Sequence, residues 1–286
     1  MAEFFTELFL FALAFIWLAV ASFQDIKKRE VANWLSFSLI LFAIAFRAFY
    51  ALLNNNLWFF LNGLIGLVMF YVLANIFYYG RLFAGGDAKL LMAIGVVLPI
   101  FDSFLANIAF ILLFIFGFLA VGSVYSLIYT VFLVSRRKKE FAREMRMQFR
   151  KNKMLFFICF ILAVLALIAV SFLDERLFFI FPLLVFLVPF LYSYAKAVEE
   201  ACMIKNVKTS ELTIGDWLYK DVKAGRAIIK KDWQGLDEKQ IKLLRRYKKN
   251  VMIKQGVPFV PSFLIAFIIL VWLRYSPFYS YILYFF

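Results

Sequence analysis

The sequence contains no histidine, only two cysteines, and charged residues at only 17% of its 286 positions. Without histidine the chain cannot form a Ser-His or Cys-His catalytic pair, a His-ligated zinc site or the H-E-x-x-H motif of metalloproteases. Cys159 lies in an apolar run and Cys202 far away in a basic segment, so they predict neither a disulfide framework nor a zinc site. We therefore expect no metal ion and no other cofactor.

Apolar residues, in contrast, are abundant. The chain is 65% hydrophobic, has a mean hydropathy of +0.86 and contains 39 phenylalanines, whereas a soluble domain is about 45–50% apolar. The 32 Lys and Arg outnumber the 18 Asp and Glu, giving a net charge of +14. A membrane protein whose loops are basic on one side accounts for both features, and we expect no nucleic-acid partner.

Eight apolar runs are candidates for helices that cross the membrane, since a helix needs about twenty residues to cross a hydrocarbon core roughly 30 Å thick. They are residues 4–24, 33–53, 57–79, 82–101, 104–134, 154–173, 177–195 and 258–273. The first is too long and too aromatic for a cleaved signal sequence. The sequence therefore predicts an all-α polytopic membrane protein with about eight transmembrane helices.

Cations indicate the orientation of these spans, because they are enriched in cytoplasmic loops. Lys27, Lys28 and Arg29 follow the first span, so its C-terminal end is expected in the cytoplasm and the N terminus outside. With eight crossings, all but three of the cations lie inside; the exceptions are Arg47, Arg176 and Arg274. Residues 82–101 must cross too, because otherwise the nine cations of residues 136–153 would lie outside.

We divide the chain into five segments on this basis. They are a membrane core at residues 1–135, a basic amphipathic segment at 136–153, a transmembrane helix pair at 154–195, a basic cytoplasmic domain at 196–257, and a C-terminal transmembrane helix with its tail at 258–286.

The two segments outside the spans differ in character. In residues 136–153, Phe141, Met145 and Phe149 recur at helical spacing. This segment is either a helix that lies on the inner leaflet against anionic lipid headgroups, or a solvated cytoplasmic loop. Residues 196–257 are expected to form a small, mostly helical domain. Its sequence predicts a helix with Asp237 as N-cap, Gln240 at N3, and Ile241 and Leu244 on the buried face.

Two acids stand out because ionisable residues inside a membrane are functional candidates. Asp25 ends the first span and Asp87 begins the fourth, which places both at the cytoplasmic face, and Gly85 and Gly86 permit close approach of another segment. Two carboxylates that meet there can share one proton and hydrolyse a peptide without metal or nucleophile. Taken separately, Asp25 is as well explained by an ion pair with a neighbouring cation, and Asp87 by helix capping.

Both aspartates lie in motifs that resemble those of one protease family. Residues 25–35, DIKKREVANWL, resemble the D-x-x-x-R-x-I-P-N-W-L pattern of type IV prepilin peptidases, and residues 84–91, AGGDAKLL, resemble that family's G-x-G-D-A-K-L-L. Residues 253–261, IKQGVPFVP, resemble the C-terminal region of the archaeal preflagellin and prepilin peptidases. The joint occurrence of the two aspartate motifs, in the family's order, makes the resemblance specific.

The resemblance implies a membrane-embedded GxGD-type aspartic endopeptidase with Asp25 and Asp87 as its catalytic pair. It also implies supporting positions at Asn33, Gly85, Gly86 and Lys89. Family members cut membrane-bound pilin or archaellin precursors at the cytoplasmic face, between a short basic leader and the hydrophobic helix. Ala84 and Ala32 replace the family's first glycine and its proline. The paired cysteines of methylating bacterial members are missing, which implies peptidase activity alone.

Two other functions compete with this one. An ion- or proton-coupled transporter could use Asp25 and Asp87 as relay groups, but it would need a polar path to mid-membrane, and the spans carry little charge. A membrane anchor built on the basic segments leaves the paired motifs unexplained.

Overall fold

The computed structural model describes residues 2–172 and 176–277. Helices dominate these residues, as the sequence predicts. The α-helices are α1 (Ala2–Lys28), α2 (Asn33–Asn54), α3 (Leu57–Tyr79), α4 (Gly85–Val97), α5 (Phe104–Arg136), α6 (Lys138–Lys151), α7 (Lys153–Ser171), α8 (Ile180–Cys202), α9 (Glu238–Tyr247) and α10 (Val260–Tyr275). The strands are β1 (Ile204–Lys208), β2 (Trp217–Leu218), β3 (Val222–Ala224), β4 (Ala227–Ile229) and β5 (Asn250–Lys254).

Each of the eight apolar runs found in the sequence overlaps a helix within the residues that the structure describes. Among the described helices, six are long and apolar enough to cross a membrane, namely α1, α2, α3, α5, α7 and α8. Helix α10 is apolar but has 16 residues, and α4 has 13; at 1.5 Å per residue, α4 is only about 20 Å long. The all-α polytopic membrane fold is therefore confirmed, with six full-length spans where about eight were expected.

The chain divides into two compact units, one formed by Met1–Leu127 with Val257–Phe286 and the other by Ile128–Gly256. In the first unit, α10 returns to pack along α1. The ring of Phe11 lies 5.8 Å from that of Phe267, and Arg274 forms an ion pair with Glu7 at 3.1 Å. The finer functional division of the sequence at residues 135, 153, 195 and 257 stays a prediction.

Helix α4 forms the centre of the first unit. Leu90, Leu91 and Ile94 have no exposed surface, because α3 and α2 pack against this short helix. The backbones of α3 and α4 come so close that a Cβ atom on Gly66 would collide with the carbonyl oxygen of Gly95. After Lys89, α4 is apolar on all sides, which is typical of a buried position.

Arg47, one of the three cations that the topology left outside the cytoplasm, is a buried structural residue of α2. It has no exposed surface. Its guanidinium donates hydrogen bonds to the carbonyl oxygens of Val96 and Val97 at 2.8 and 3.2 Å, and to that of Pro99. A further bond at 2.8 Å reaches the carbonyl oxygen of Phe59, in the first turn of α3. Arg47 thus caps the C-terminal end of α4, where a positive charge is favoured.

In the second unit, α6 packs against α8 through its predicted apolar stripe. The ring of Phe141 lies edge-on to that of Tyr194 at 5.7 Å, and the ring of Phe149 lies 6.0 Å from that of Phe190. Phe141 and Phe149 are therefore half-buried against α8, and contact of α6 with the inner leaflet stays a prediction. The lysines and arginines on the opposite face of α6 are exposed.

The expectation that residues 196–257 are mostly helical is wrong. Beyond the end of α8 they form an antiparallel three-stranded sheet in the order β1-β5-β2, a β3–β4 hairpin and the ten-residue helix α9. In β5, Val251 and Ile253 are buried, whereas Asn250 and Met252 are exposed. Alternation with a period of two is the pattern of a strand, but a strand of five residues is too short for this pattern to stand out in the sequence.

The helix predicted from Asp237 is confirmed as α9. The Asp237 carboxylate accepts a hydrogen bond from the Gln240 backbone N–H at 2.6 Å, and the Gln240 side chain accepts one from the Asp237 N–H at 3.0 Å. Ile241 and Leu244 are buried in the small core of this segment. The capping residues and the apolar spacing therefore identified this helix correctly.

Candidate active site

Asp25 ends the buried stripe of α1. Leu18 and Ala21 precede it at helical spacing on the same face. Asp25 itself is only 6% exposed. The helix ends at Lys28, and Arg29 adopts a positive φ of 60°, which begins the turn toward α2. Arg29 also lies close enough to attract the Asp25 carboxylate.

The start of α10 binds the Asp25 side chain. The backbone N–H of Val260 donates a hydrogen bond to Oδ2 of Asp25 at 2.9 Å. Val260 is the first residue of α10, so the carboxylate lies at the positive end of the helix dipole. Sequence reasoning missed this contact, because the two residues are 235 positions apart and residues 253–261 were noted only for their family resemblance.

Asp87 lies in the first turn of α4, directly after Gly85 and Gly86. It is only partly buried, unlike Asp25. The two side chains are close enough for their charges to interact. The structure therefore brings together, from α1 and α4, the two acids that the sequence singles out.

The two glycines before Asp87 have different surroundings. A Cβ atom on Gly86 would lie 3.4 Å from the Cβ of Val31, so the start of α4 lies against the link between α1 and α2. A Cβ atom on Gly85 would meet its nearest neighbour, the ring of Tyr78, at an ordinary 3.8 Å. Close approach of another segment therefore occurs at Gly86.

Lys89 and Asn33 form a hydrogen bond with each other. The ammonium of Lys89 donates to Oδ1 of Asn33 at 2.8 Å. Asn33 is the first residue of α2 and Lys89 lies in the second turn of α4, so the bond joins the starts of the two helices. These two predicted supporting residues thus contact each other near the acids.

Such a pair of carboxylates is suited to acid–base chemistry. Asp25 accepts a hydrogen bond from the backbone N–H of Val260, whereas Asp87 lies in the first turn of α4. Unequal surroundings separate the roles of two neighbouring acids, so that the charged one can act as base and the protonated one as acid. Among the described residues, no group of three or more His, Cys, Asp or Glu side chains could hold a metal ion.

Comparisons with known proteins identify relatives of this region. Residues 12–133, which include both aspartates, match the family model of the type IV leader peptidase family. A preflagellin peptidase of Methanocaldococcus jannaschii is 25% identical over 89 residues, covering 31% of this chain and 38% of that protein. The match thus spans less than half of that relative's length. No solved structure matches the chain. The resemblance to leader peptidases noted in the sequence is confirmed.

Proposed function

Because residues 12–133 match the type IV leader peptidase family, we propose that the chain is a membrane aspartic endopeptidase with Asp25 and Asp87 as its catalytic pair. The observation that carries this proposal is the packing of the two acidic segments together. The start of α10 bonds to Asp25 through the Val260 N–H and packs on Phe83, four residues before Asp87, and Gly86 lies against Val31. The charged carboxylate takes a proton from water while the water oxygen bonds to the scissile carbonyl carbon. In the same step the protonated partner donates its proton to the carbonyl oxygen, which gives a tetrahedral diol. The carboxyl that took the proton from water then protonates the amide nitrogen. The amine leaves as the C–N bond breaks, and a hydroxyl of the diol returns its proton to the other carboxylate.

The proposed substrates are membrane-bound precursors of the archaellin or type IV pilin class. The relative in Methanocaldococcus jannaschii is named as a preflagellin peptidase, which supports this class. Cleavage is proposed between a short basic leader and the hydrophobic helix of the precursor. Carboxylates and water suffice for this reaction, so the proposal includes no cofactor and no methyl transfer.

We also propose that this site faces the cytoplasm and that the N terminus lies outside. Lys27 and Lys28 end α1 and Arg29 follows it, which is the pattern of a cytoplasmic boundary. With that orientation α6 lies on the cytoplasmic side, where anionic lipid headgroups are the expected partners of its exposed cations.

Cysteine labelling tests the orientation. In a background in which Cys159 and Cys202 are replaced by Ser, we expect Asn55→Cys to react with an impermeant maleimide in intact cells. Lys138→Cys should react only after the cells are opened. Labelling of Lys138→Cys in intact cells would contradict the proposed orientation.

Co-expression with candidate precursors tests the activity. We expect a leader-bearing archaellin or pilin precursor to be shortened, and N-terminal sequencing of the product to place the cut between the basic leader and the hydrophobic helix. An empty vector provides the control for host processing. If no leader-bearing precursor is shortened by an accumulated, membrane-inserted protein, the peptidase proposal fails.

A further inference from the structure

The start of α10 is a third segment at the candidate site. Val260 has no exposed surface, and its N–H donates to the buried Asp25 carboxylate at 2.9 Å. An N–H in the first turn of a helix has no partner within the helix, so this bond satisfies two buried groups at once. It also fixes the position of one Asp25 oxygen relative to α10.

The same segment packs against the chain that leads into Asp87. Four phenylalanines form one cluster there: Phe83, Phe118, Phe259 and Phe263. The ring of Phe83 lies 5.8 Å from that of Phe259 and 5.9 Å from that of Phe263, while Phe118 stacks on Phe263 at 4.3 Å. Phe83 directly precedes the A-G-G-D motif. The start of α10 thus reaches the segments of both acids, one through a hydrogen bond and the other through aromatic packing.

We propose that residues 259–263 position both members of the catalytic pair, with the Val260 N–H holding Asp25 and the phenylalanine cluster holding the segment before Asp87. This inference rests on the proposed peptidase function. Residues 259–263 act through Asp25 and Asp87 and do not themselves touch the substrate. The group that matters at position 260 is a backbone N–H, so the side chain there can vary while the bond persists.

A purely structural role for α10 makes a different prediction. If the helix only stabilises the first unit, removing any buried side chain along it should lower stability to a similar extent. Activity should then be proportional to the amount of folded protein. If its start positions the acids, changes there should lower kcat per folded molecule with little effect on KM. Changes farther along α10 should affect stability alone.

The first test removes the N–H itself. Val260→Pro lacks this donor, although a proline at position 260 also disfavours the αR backbone conformation that Phe259 adopts. Val260→Ala keeps the donor and serves as the matched control. The assay measures cleavage of a precursor in detergent, and each rate is divided by the amount of monodisperse enzyme. We expect Val260→Pro to lower kcat by about ten- to a hundredfold, because a hydrogen bond to a charged group is lost. KM should stay within about twofold, and Val260→Ala should retain most of the activity.

A second pair of variants keeps the backbone donor, because a proline at position 260 also restricts Phe259. Phe259→Ala removes a ring of the cluster, whereas Leu270→Ala removes an apolar side chain that is 3% exposed farther along α10. We expect both to lower the melting temperature, but only Phe259→Ala to lower kcat. Wild-type kcat in Val260→Pro, or an equal loss of kcat in Phe259→Ala and Leu270→Ala, would overturn the inference. Failure of the peptidase proposal would be distinct, because the unaltered chain would then cleave no precursor.

Discussion

The two ends of α4 hold charge in opposite ways. At the C-terminal end, Arg47 is completely buried and its guanidinium bonds to backbone carbonyl oxygens. At the N-terminal end, Asp87 is partly exposed and lies near a second acid, Asp25. The first end pairs a cation with the negative end of a helix dipole, whereas the second brings two like charges together.

This difference shows how buried charges in a membrane protein can be sorted by role. Ionisable residues within spans are functional candidates, and by that criterion alone Arg47 and Asp25 rank equally. Arg47, however, directs its donors at fixed carbonyl groups of the fold, which is an anchoring arrangement. Two acids held close together are unfavourable for stability, so their approach points to chemistry.

The largest expected effect is the loss of activity at the acid end. Asp25→Asn and Asp87→Asn each remove either the proposed base or the proposed acid, so we expect cleavage to fall by about 10²- to 10⁴-fold. Both variants should insert and accumulate as the parent does, because asparagine keeps the shape of the side chain. Precursor processing measured beside protein abundance checks this. Substantial turnover by either variant would refute the catalytic pair.

Arg47 variants should show the reverse pattern. Arg47→Met leaves several buried carbonyl groups without their donor, so we expect a loss of stability of about 3 kcal/mol or more. Arg47→Lys keeps the charge but loses the planar fork of donors, and its loss should be intermediate. Thermal unfolding in detergent, with activity given per folded molecule, separates the two effects. A Met variant with unchanged melting temperature would contradict the anchoring role.

Local patterns in the sequence predicted most of the helices. Apolar runs located α2 and α3 to within a residue or two, because a span must be continuous in sequence to satisfy its backbone in lipid. The two aspartates and the helix at Asp237 were found for the same reason, since each lies in a short motif next to its own helix.

Contacts between distant segments could not be found in this way. The bond from Val260 to Asp25 joins residues that are 235 positions apart, and its donor is a backbone group that any residue except proline supplies. Arg47 departs from the rule that cations lie in cytoplasmic loops. Its role could not be predicted, because its carbonyl partners come together only when α3 and α4 pack against α2. The strands after Cys202 were missed because strands of two to five residues leave little periodicity to detect.

The smallest expected effect concerns the bond between Lys89 and Asn33, which sharpens the account of the acid end. The bond is solvent-exposed at 2.8 Å, so its contribution should be modest. We expect Lys89→Met and Asn33→Ala each to lower kcat by about two- to threefold, through a looser alignment of α4 with α2. Because either change already breaks the same bond, the double variant should lose no more than one of the single variants. Additive losses in this cycle would mean that the two side chains act separately, and that this bond does not hold Asp87 in place.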